Sequence, residues 1–95
     1  MNETKYEVKR TAQFKKDYNL AKKRGQNIGL LNDIILKLAD DQVLPDKNRD
    51  HALTGDWLGF RECHISPDWL LIYKKEEDIL VLTLTRLGSH SDLDI

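Results

Sequence analysis

Three histidines and one aspartate are the residues best suited to chemistry. They are His51, His64, Asp68 and His90, spaced 13, 4 and 22 residues apart. An imidazole exchanges protons near neutral pH, because its unperturbed pKa is about 6.5. Several imidazoles with one carboxylate suit general acid–base reactions, such as cleavage of RNA through its own 2′-hydroxyl. That reaction needs a base for the 2′-hydroxyl, an acid for the leaving 5′-oxygen and a cation for the phosphate, and no metal.

Each of these residues also has an ordinary explanation. A histidine is more often a surface or hydrogen-bonded polar residue than a catalyst, and Asp68 can cap a turn. The spacings match none of the compact zinc signatures, so we expect no metal site and no cofactor. The sole cysteine, Cys63, excludes a disulfide within the chain and is interpreted as a small strand residue.

Cationic side chains that could bind RNA phosphates fall into two groups. Arg61 and Arg86 are predicted in or at the end of strands, and four lysines are predicted on the first helix: Lys15, Lys16, Lys22 and Lys23. The net charge of −1 conceals a dipolar chain, with +5 in residues 1–37 and −6 in residues 38–95. The lysines are therefore interpreted either as a phosphate-binding patch or as an ordinary solvated helix face. Trp69 and Tyr73 could stack on bases, but an apolar run favours core positions for both.

The hydrophobic pattern predicts the elements that must position these residues. Thr11 is suited to cap a helix over residues 12–24, with Gly25 ending it in the left-handed conformation. A second helix is predicted from about Asn27 to Asp40. Alternation predicts an edge strand at 6–10 and later strands at 59–65 and 79–86. The run at 69–73 is apolar on both faces, which predicts a central strand. We expect one α+β domain over residues 1–95: a βααβββ order, with a small, mainly antiparallel sheet and both helices on one face.

The segment from Val43 to Leu58 shows no sustained period and is predicted to be a long loop. Loops of this length in small domains are usually functional or mobile. Trp57 could pin this loop to the rest of the domain. Charged residues at 74–78 predict a hairpin turn, and Gly88 is expected to end the last strand and leave a polar tail.

The chain carries no signal for membrane insertion or secretion. No apolar run approaches the ~20 residues that a membrane span requires. The start of the chain, Met1–Lys5, has no apolar segment of the kind that a secretory leader contains. A cytoplasmic protein is therefore expected.

Two segments resemble a known family. The stretch from Asp50 to Lys74, DHALTGDWLGFRECHISPDWLLIYK, closely resembles the signature of the YafQ branch of the RelE-like toxins. The stretch from Arg86 to Leu93, RLGSHSDL, resembles the closing motif of that branch, and the βααβββ order is also similar. The resemblance implies a RelE-like microbial RNase fold and the toxin of a bacterial type II toxin–antitoxin pair. Such a toxin would be a metal-independent, ribosome-dependent endoribonuclease that cuts mRNA in the A site and leaves a 2′,3′-cyclic phosphate.

Carried over by motif, the resemblance makes the histidines and the aspartate the catalytic group. Asp68 or His64 would take the 2′-hydroxyl proton, and His51 or His90 would protonate the leaving oxygen. Which residue is the acid and which is the base stays open at this point.

The resemblance supplies two further expectations, and the chain departs from the family pattern at one position. Arg86 would stabilise charge on the phosphate, and Trp69 would help to shape the site. Members of this branch commonly have an aromatic residue after the motif's leucine, whereas Asp94 follows Leu93 here. If that aromatic helps to hold an mRNA base, this chain would bind RNA differently.

The resemblance also implies partners. They are an antitoxin with a DNA-binding part and a segment that folds on the toxin, operator DNA reached only through that antitoxin, and the ribosome with its mRNA. Two other functions remain open: a catalytically weakened relative that mainly binds antitoxin and operator, and a metal-dependent hydrolase. Codon preference, antitoxin-binding surface and oligomeric state do not follow from the sequence.

Overall fold

The computed structural model describes residues 4–95, and the polar start Met1–Glu3 lies outside the described residues. The strands are Glu7–Arg10 (β1), His51–Ala52 (β2), Arg61–Ser66 (β3), Trp69–Glu76 (β4) and Val81–Gly88 (β5). The helices are Ala12–Lys23 (α1), Ile28–Ala39 (α2) and His90–Leu93 (α3). Within the described chain, no helix is long and apolar enough to cross a membrane.

The strands form one sheet in the order β1-β5-β4-β3-β2. Strand β1 lies at an edge and runs parallel to β5, whereas the other neighbours are antiparallel. The predicted α+β class, the mainly antiparallel sheet and the edge position of β1 are confirmed. Strand β4 occupies the centre, as its continuous apolar run predicts.

Local side-chain bonds explain where α1 and α2 begin. The hydroxyl of Thr11 accepts a hydrogen bond from the N–H of Phe14, and the amide oxygen of Asn27 accepts one from the N–H of Leu30. Each bond satisfies an N–H that has no partner within the helix. Gly25, with φ of 76°, follows α1 in the left-handed conformation. The predicted boundaries of both helices are therefore confirmed to within about two residues.

Both long helices pack on one face of the sheet, as predicted. Leu31 and Leu38 of α2 and Phe14 of α1 meet strand residues such as Leu71 and Leu82, and all five are almost fully buried. We call this side of the sheet the helix face. Because burying a leucine or phenylalanine contributes about 1.5–3 kcal/mol, this layer carries much of the folding energy.

The opposite side, which we call the open face, has a smaller core. Leu70 and Ile72 of β4 pack there against Leu93 of α3. The long loop covers them through Leu53, Trp57 and Phe60, with the Trp57 and Phe60 rings edge to face at 5.3 Å. The prediction that Trp57 anchors the loop is confirmed. The loop is also more ordered than predicted, since it contains β2 and short 3-10 turns at Asp46–Asn48 and Gly55–Trp57.

The sequence prediction misplaced several strand ends. Strand β4 continues through Glu76, so the first half of the predicted turn at 74–78 pairs with β5 instead. Alternation along the last strand puts Leu80 on the same side as Leu82 and Leu84, but Leu80 lies in the turn with φ of 53° and is 42% exposed. Strand β3 covers 61–66 instead of 59–65, and β5 covers 81–88 instead of 79–86.

The predicted polar tail is wrong, because residues 90–93 form α3. The hydroxyl of Ser89 accepts a hydrogen bond from the N–H of Asp92, and the Asp92 carboxylate accepts one from the N–H of Ser89. This reciprocal pair is a capping box, which lowers the cost of starting so short a helix. Leu93 then docks on the open face, which fixes the helix against the sheet.

Candidate active site

Strand register brings two of the predicted site residues to the open face. Along β3 the side chains of Glu62 and His64 alternate with that of Cys63, which is buried on the helix face. His51 of β2 pairs with Glu62, and His64 pairs with Leu70 of the open-face core. The two-residue strand β2 therefore positions His51 beside β3, although 13 residues separate the histidines along the chain.

The ring of His51 has a defined orientation. Its Nδ1 lies 2.6 Å from the carbonyl oxygen of Arg49, a residue that occupies the left-handed region with φ of 47°. A carbonyl only accepts hydrogen bonds, so Nδ1 carries the hydrogen and Nε2 of the neutral ring is left as an acceptor. That Nε2 lies 3.5 Å from Oε1 of Glu62, and half of the His51 side chain is exposed.

His64 lies between the other site residues. Its Nε2 is 3.7 Å from Oε1 of Glu62, and its ring centroid is 5.5 Å from that of His90. The backbone there is held by Asn48, a buried residue whose amide donates to the His64 carbonyl oxygen at 2.7 Å. The 3-10 turn that carries Asn48 is thus bonded directly to β3.

His90 and Asp68 form a closely bonded pair. Nδ1 of His90 lies 2.6 Å from Oδ1 of Asp68, and the backbone N–H of His90 donates to the same oxygen at 3.0 Å. The backbone N–H, followed by the ring, lowers the pKa of Asp68 from its ordinary value. Asp68 is therefore an ionised acceptor that holds a proton of His90 on Nδ1 and leaves Nε2 for other partners.

The structure brings the four predicted residues together in one line across the open face. The line runs from His51 through Glu62 and His64 to His90 and Asp68. Glu62 was missed by sequence reasoning, although its position two residues before His64 on the same strand places both on one face. Two carboxylates thus accompany three imidazoles, a set that can donate and accept protons near neutral pH.

The last turn of α1 holds α3 in place. Nη1 of Arg24 lies 2.7 Å from Oδ2 of Asp92, two residues after His90. The Arg24 guanidinium, with the Ser89 backbone N–H, lowers the pKa of Asp92 to about 2. The capping box therefore stays ionised at neutral pH and fixes the helix that begins with His90.

A substitution at Gly88 tests whether the position of α3 matters for the site. A Cβ at Gly88 would lie 2.8 Å from Cβ of Asp92, which is closer than carbon atoms pack. Gly88→Ala is expected to displace α3 and lower RNA cleavage by about 10²-fold, since misplacement by ~1 Å costs that much. Cleavage rate and thermal unfolding would be measured, with Gly29→Ala on α2 as the matched control. A Gly88→Ala protein that cleaves like Gly29→Ala would contradict this account of α3.

A groove of about 680 Å³ borders the proposed site. His64 and His90 line it together with Lys47, Asn48 and Arg49. Lys47 and Arg49 are exposed cations that sequence reasoning did not single out, because they lie in a loop without periodicity. Their position beside two site histidines makes them better placed for RNA phosphates than the candidates from the sequence.

Arg61 lies on the helix face, so its predicted meeting with the scissile phosphate gains no support from its position. It pairs across the strands with Tyr73 of the helix-face core. Its Nε lies 3.3 Å from both the Tyr73 hydroxyl and Oδ1 of Asp50, and the Tyr73 hydroxyl donates to the same Asp50 oxygen. Arg61 therefore belongs to a polar network at the sheet edge.

Trp69 and Arg86 are also bound within the fold. Trp69 is 2% exposed in the helix-face core, which confirms the core position that its apolar run favours and gives its predicted RNA contact no support. Arg86 donates through Nε to Oδ2 of Asp17 on α1 at 2.9 Å. The same carboxylate oxygen accepts the N–H of Leu87 at 2.9 Å, which ties α1 to the end of β5.

The helix lysines lie away from the histidines. All four are exposed on α1, which packs on the helix face: Lys15, Lys16, Lys22 and Lys23. Arg24, the residue that follows α1, pairs with Asp92 of α3. The basic helix therefore presents a separate surface from the proposed chemistry.

Neither a reactive thiol nor a metal cluster is present among residues 4–95. Cys63 is fully buried, and burial raises the pKa of its thiol. In the same part of the chain, no group of three or more His, Cys, Asp or Glu side chains could hold a metal ion.

Comparisons with known proteins match this architecture along nearly the whole chain. The model of the family described as bacterial toxin of type II toxin–antitoxin system, YafQ, matches residues 6–95. The mRNA interferase toxin YafQ of Escherichia coli K12 is 35% identical over 88 residues, covering 92% of this chain and 94% of that protein.

Solved structures agree with the family match. The toxin in the E. coli DinJ–YafQ toxin–antitoxin complex superposes with a TM-score of 0.86 at 34% identity, covering 94% of this chain and 97% of that one. A metal-bound toxin from Helicobacter pylori superposes with a TM-score of 0.87 at 40% identity, covering 93% and 98%. Family model, sequence and fold thus agree, and the chain belongs to the YafQ family of toxins of bacterial type II toxin–antitoxin systems.

Proposed function

We propose that this chain is an mRNA interferase that cleaves messages on the ribosome, in the cytoplasm. The observation that carries the proposal is the line of acid–base groups from His51 to Asp68 across one open face of the sheet. The family relationship and the name of the E. coli relative support the same reaction. In this reaction the 2′-oxygen attacks phosphorus and the 5′-oxygen leaves, which gives a 2′,3′-cyclic phosphate.

His90 is assigned as the general acid. Asp68 accepts the hydrogen on Nδ1 of His90, so Nε2 is the atom that can carry a proton to the leaving 5′-oxygen. An ionised carboxylate beside the ring stabilises the imidazolium that must donate. Asp68 is bonded to His90 through two hydrogens, and we therefore assign it to orient His90 and not to take the 2′-hydroxyl proton.

The pair of His51 and His64 is assigned as the base. Nε2 of His51 is free to accept a proton because Nδ1 faces the Arg49 carbonyl. His64 lies between His51 and the acid, with its ring beside that of His90. A phosphate bound over His64 would thus have base and acid on opposite sides, as an in-line displacement requires.

Lys47 and Arg49 are proposed to neutralise the RNA backbone. They line the same groove as His64 and His90, so a chain that enters the site passes beside them. Arg86 lies on the register position opposite Ile72 of the open-face core, but its guanidinium is paired with Asp17. The mechanism derived from these side chains uses no metal ion.

The proposed protein partner is a cognate antitoxin. The E. coli relative forms a complex with the DinJ antitoxin. The first 37 residues carry a net charge of +5, and an antitoxin segment that folds on this surface would be acidic. Operator DNA would then be bound through the antitoxin and not by the toxin itself.

Induction in a bacterial host tests the proposal. Expression is expected to arrest growth and to produce cuts in translated mRNA, both neutralised when the antitoxin is co-expressed. Comparing the cleavage of mRNA on programmed ribosomes with the cleavage of the same mRNA alone would show whether the ribosome is required. Normal growth and intact messages at confirmed soluble expression would contradict the proposal.

Normal growth with intact messages would favour another function, that of a catalytically weakened relative that mainly binds antitoxin. One observation supports it: Asp94, where this family commonly has an aromatic, ends α3 in the left-handed region with φ of 57°. No aromatic side chain is therefore present at this position to hold an mRNA base.

A further inference from the structure

Glu62 is a buried carboxylate that faces two of the proposed catalytic imidazoles. Its side chain is only 7% exposed, and Oε1 lies 3.5 Å from Nε2 of His51 and 3.7 Å from Nε2 of His64. Among residues 4–95, these rings are the basic side chains that come within 4 Å of its oxygens. Burying a carboxylate is costly unless positive charge or hydrogen bonds compensate it. A proton on either ring would supply that compensation.

We propose that Glu62 is a positioning residue, the shared counter-ion that stabilises whichever of His51 and His64 takes the 2′-hydroxyl proton. This inference rests on the proposed function. Both distances exceed the ~2.7–2.9 Å of a charge-assisted hydrogen bond, so the carboxylate is not committed to one ring. His51 gains an N–H directed at Glu62 only when it is protonated, because its Nδ1 hydrogen faces the Arg49 carbonyl.

The charges balance through the reaction. The 2′-oxygen forms a bond to phosphorus as its proton passes to a ring beside Glu62, and the P–O5′ bond breaks as the proton of His90 passes to the 5′-oxygen. The net charge of Glu62 and the ring that takes the proton changes from −1 to zero. The net charge of Asp68 and His90 changes from zero to −1.

Other charged groups face these rings from the neighbouring elements. His90 of α3 adjoins the ring of His64, and Asp68 holds His90 from the turn before β4. On β5, Arg86 lies at the register position next to Ile72, but Asp17 already pairs with its guanidinium. In the described chain, Glu62 is therefore the carboxylate that directly faces His51 and His64.

The experiment measures single-turnover cleavage of labelled mRNA on programmed ribosomes by wild type, Glu62→Gln, Glu62→Asp and the exposed strand control Glu7→Gln. Glu62→Gln is expected to lower the maximal rate by about tenfold to 10²-fold, less than the ~10²–10⁴ for losing a general base. The toxin concentration at half-maximal rate and the melting temperature should change little, since glutamine matches the size of glutamate. Glu62→Asp, which keeps the charge, should retain more activity.

A double-mutant cycle that combines Glu62→Gln with the joint substitution His51→Ala and His64→Ala separates positioning from a structural role. The loss from Glu62→Gln should shrink when both rings are absent, because Glu62 acts through whichever ring takes the proton. The inference is overturned if Glu62→Gln cleaves within twofold of Glu7→Gln, if Glu62→Asp is no better than Glu62→Gln, or if the two losses multiply independently. A wild-type toxin that fails to cleave would instead overturn the proposed function.

Discussion

Replacing His90 by alanine is expected to lower the rate of mRNA cleavage by about 10²–10⁴-fold. The reason is geometric: Asp68 fixes the ring through Nδ1, so Nε2 is presented for the leaving oxygen, and the neighbouring His64 ring has no such carboxylate partner on Nδ1 among the described residues. Single-turnover cleavage on programmed ribosomes would measure the effect. In cells, the same variant should relieve growth arrest.

Ser91→Ala provides the matched control, since Ser91 is the next residue of α3 and is exposed. It should cleave like wild type. Asp68→Asn should also be slow, and combining it with His90→Ala should add little, because the two side chains act as one unit. A loss below tenfold for His90→Ala, or full independence of the two substitutions, would contradict the assignment of His90 as the acid.

The main features of the fold follow from local patterns in the sequence. Thr11 and Asn27 are cap residues directly before apolar stripes, and Gly25 lies between the helices, so both helix boundaries could be predicted. The continuous apolar run of β4 predicted the central strand. In contrast, β2 has two residues, too few to show alternation, and its existence depends on pairing with β3. Tertiary contact, not local preference, creates that strand.

The site was predicted in part because histidine is rare and chemically distinctive. The alternation of side chains along β3 predicts more of the site than the histidines alone do. Cys63 and Ile65 belong to the helix-face core, so Arg61 must share their face, whereas Glu62 and His64 must share the other. Counting along β3 would have placed Arg61 on the face opposite His64, and Glu62 on the same face as His64.

Contacts between distant segments could not be predicted in this way. The Asp17–Arg86 pair joins residues 69 positions apart, and Arg24 meets Asp92 across 68 positions. Neither pair has a sequence signature, since lone charges on a helix usually face solvent. Asp17 of α1 and Arg24 at its C-terminal end thus support the ends of β5 and α3 with two ion pairs, while the α1 lysines stay exposed.

Removing the Asp17 carboxylate is expected to lower the stability of the domain strongly. Asp17 is 9% exposed and serves both the guanidinium of Arg86 and the N–H of Leu87. Asp17→Ala leaves a half-buried cation and a buried donor without their partner, so the free energy of unfolding should fall by about 2–3 kcal/mol. For a domain of this size, the melting temperature should fall by roughly 10–20 °C. Thermal and urea unfolding would measure both quantities.

Asp33→Ala, at an exposed position on α2, is the control and should melt like wild type. The origin of the loss can be separated by also replacing the cation. In the Asp17→Ala background, Arg86→Met should recover part of the stability, because an unpaired charge is removed and an apolar chain of similar length takes its place. If Asp17→Ala melts within 4 °C of Asp33→Ala, or if Arg86→Met destabilises the Asp17→Ala protein further, the ion pair does not hold α1 against β5 as its geometry indicates.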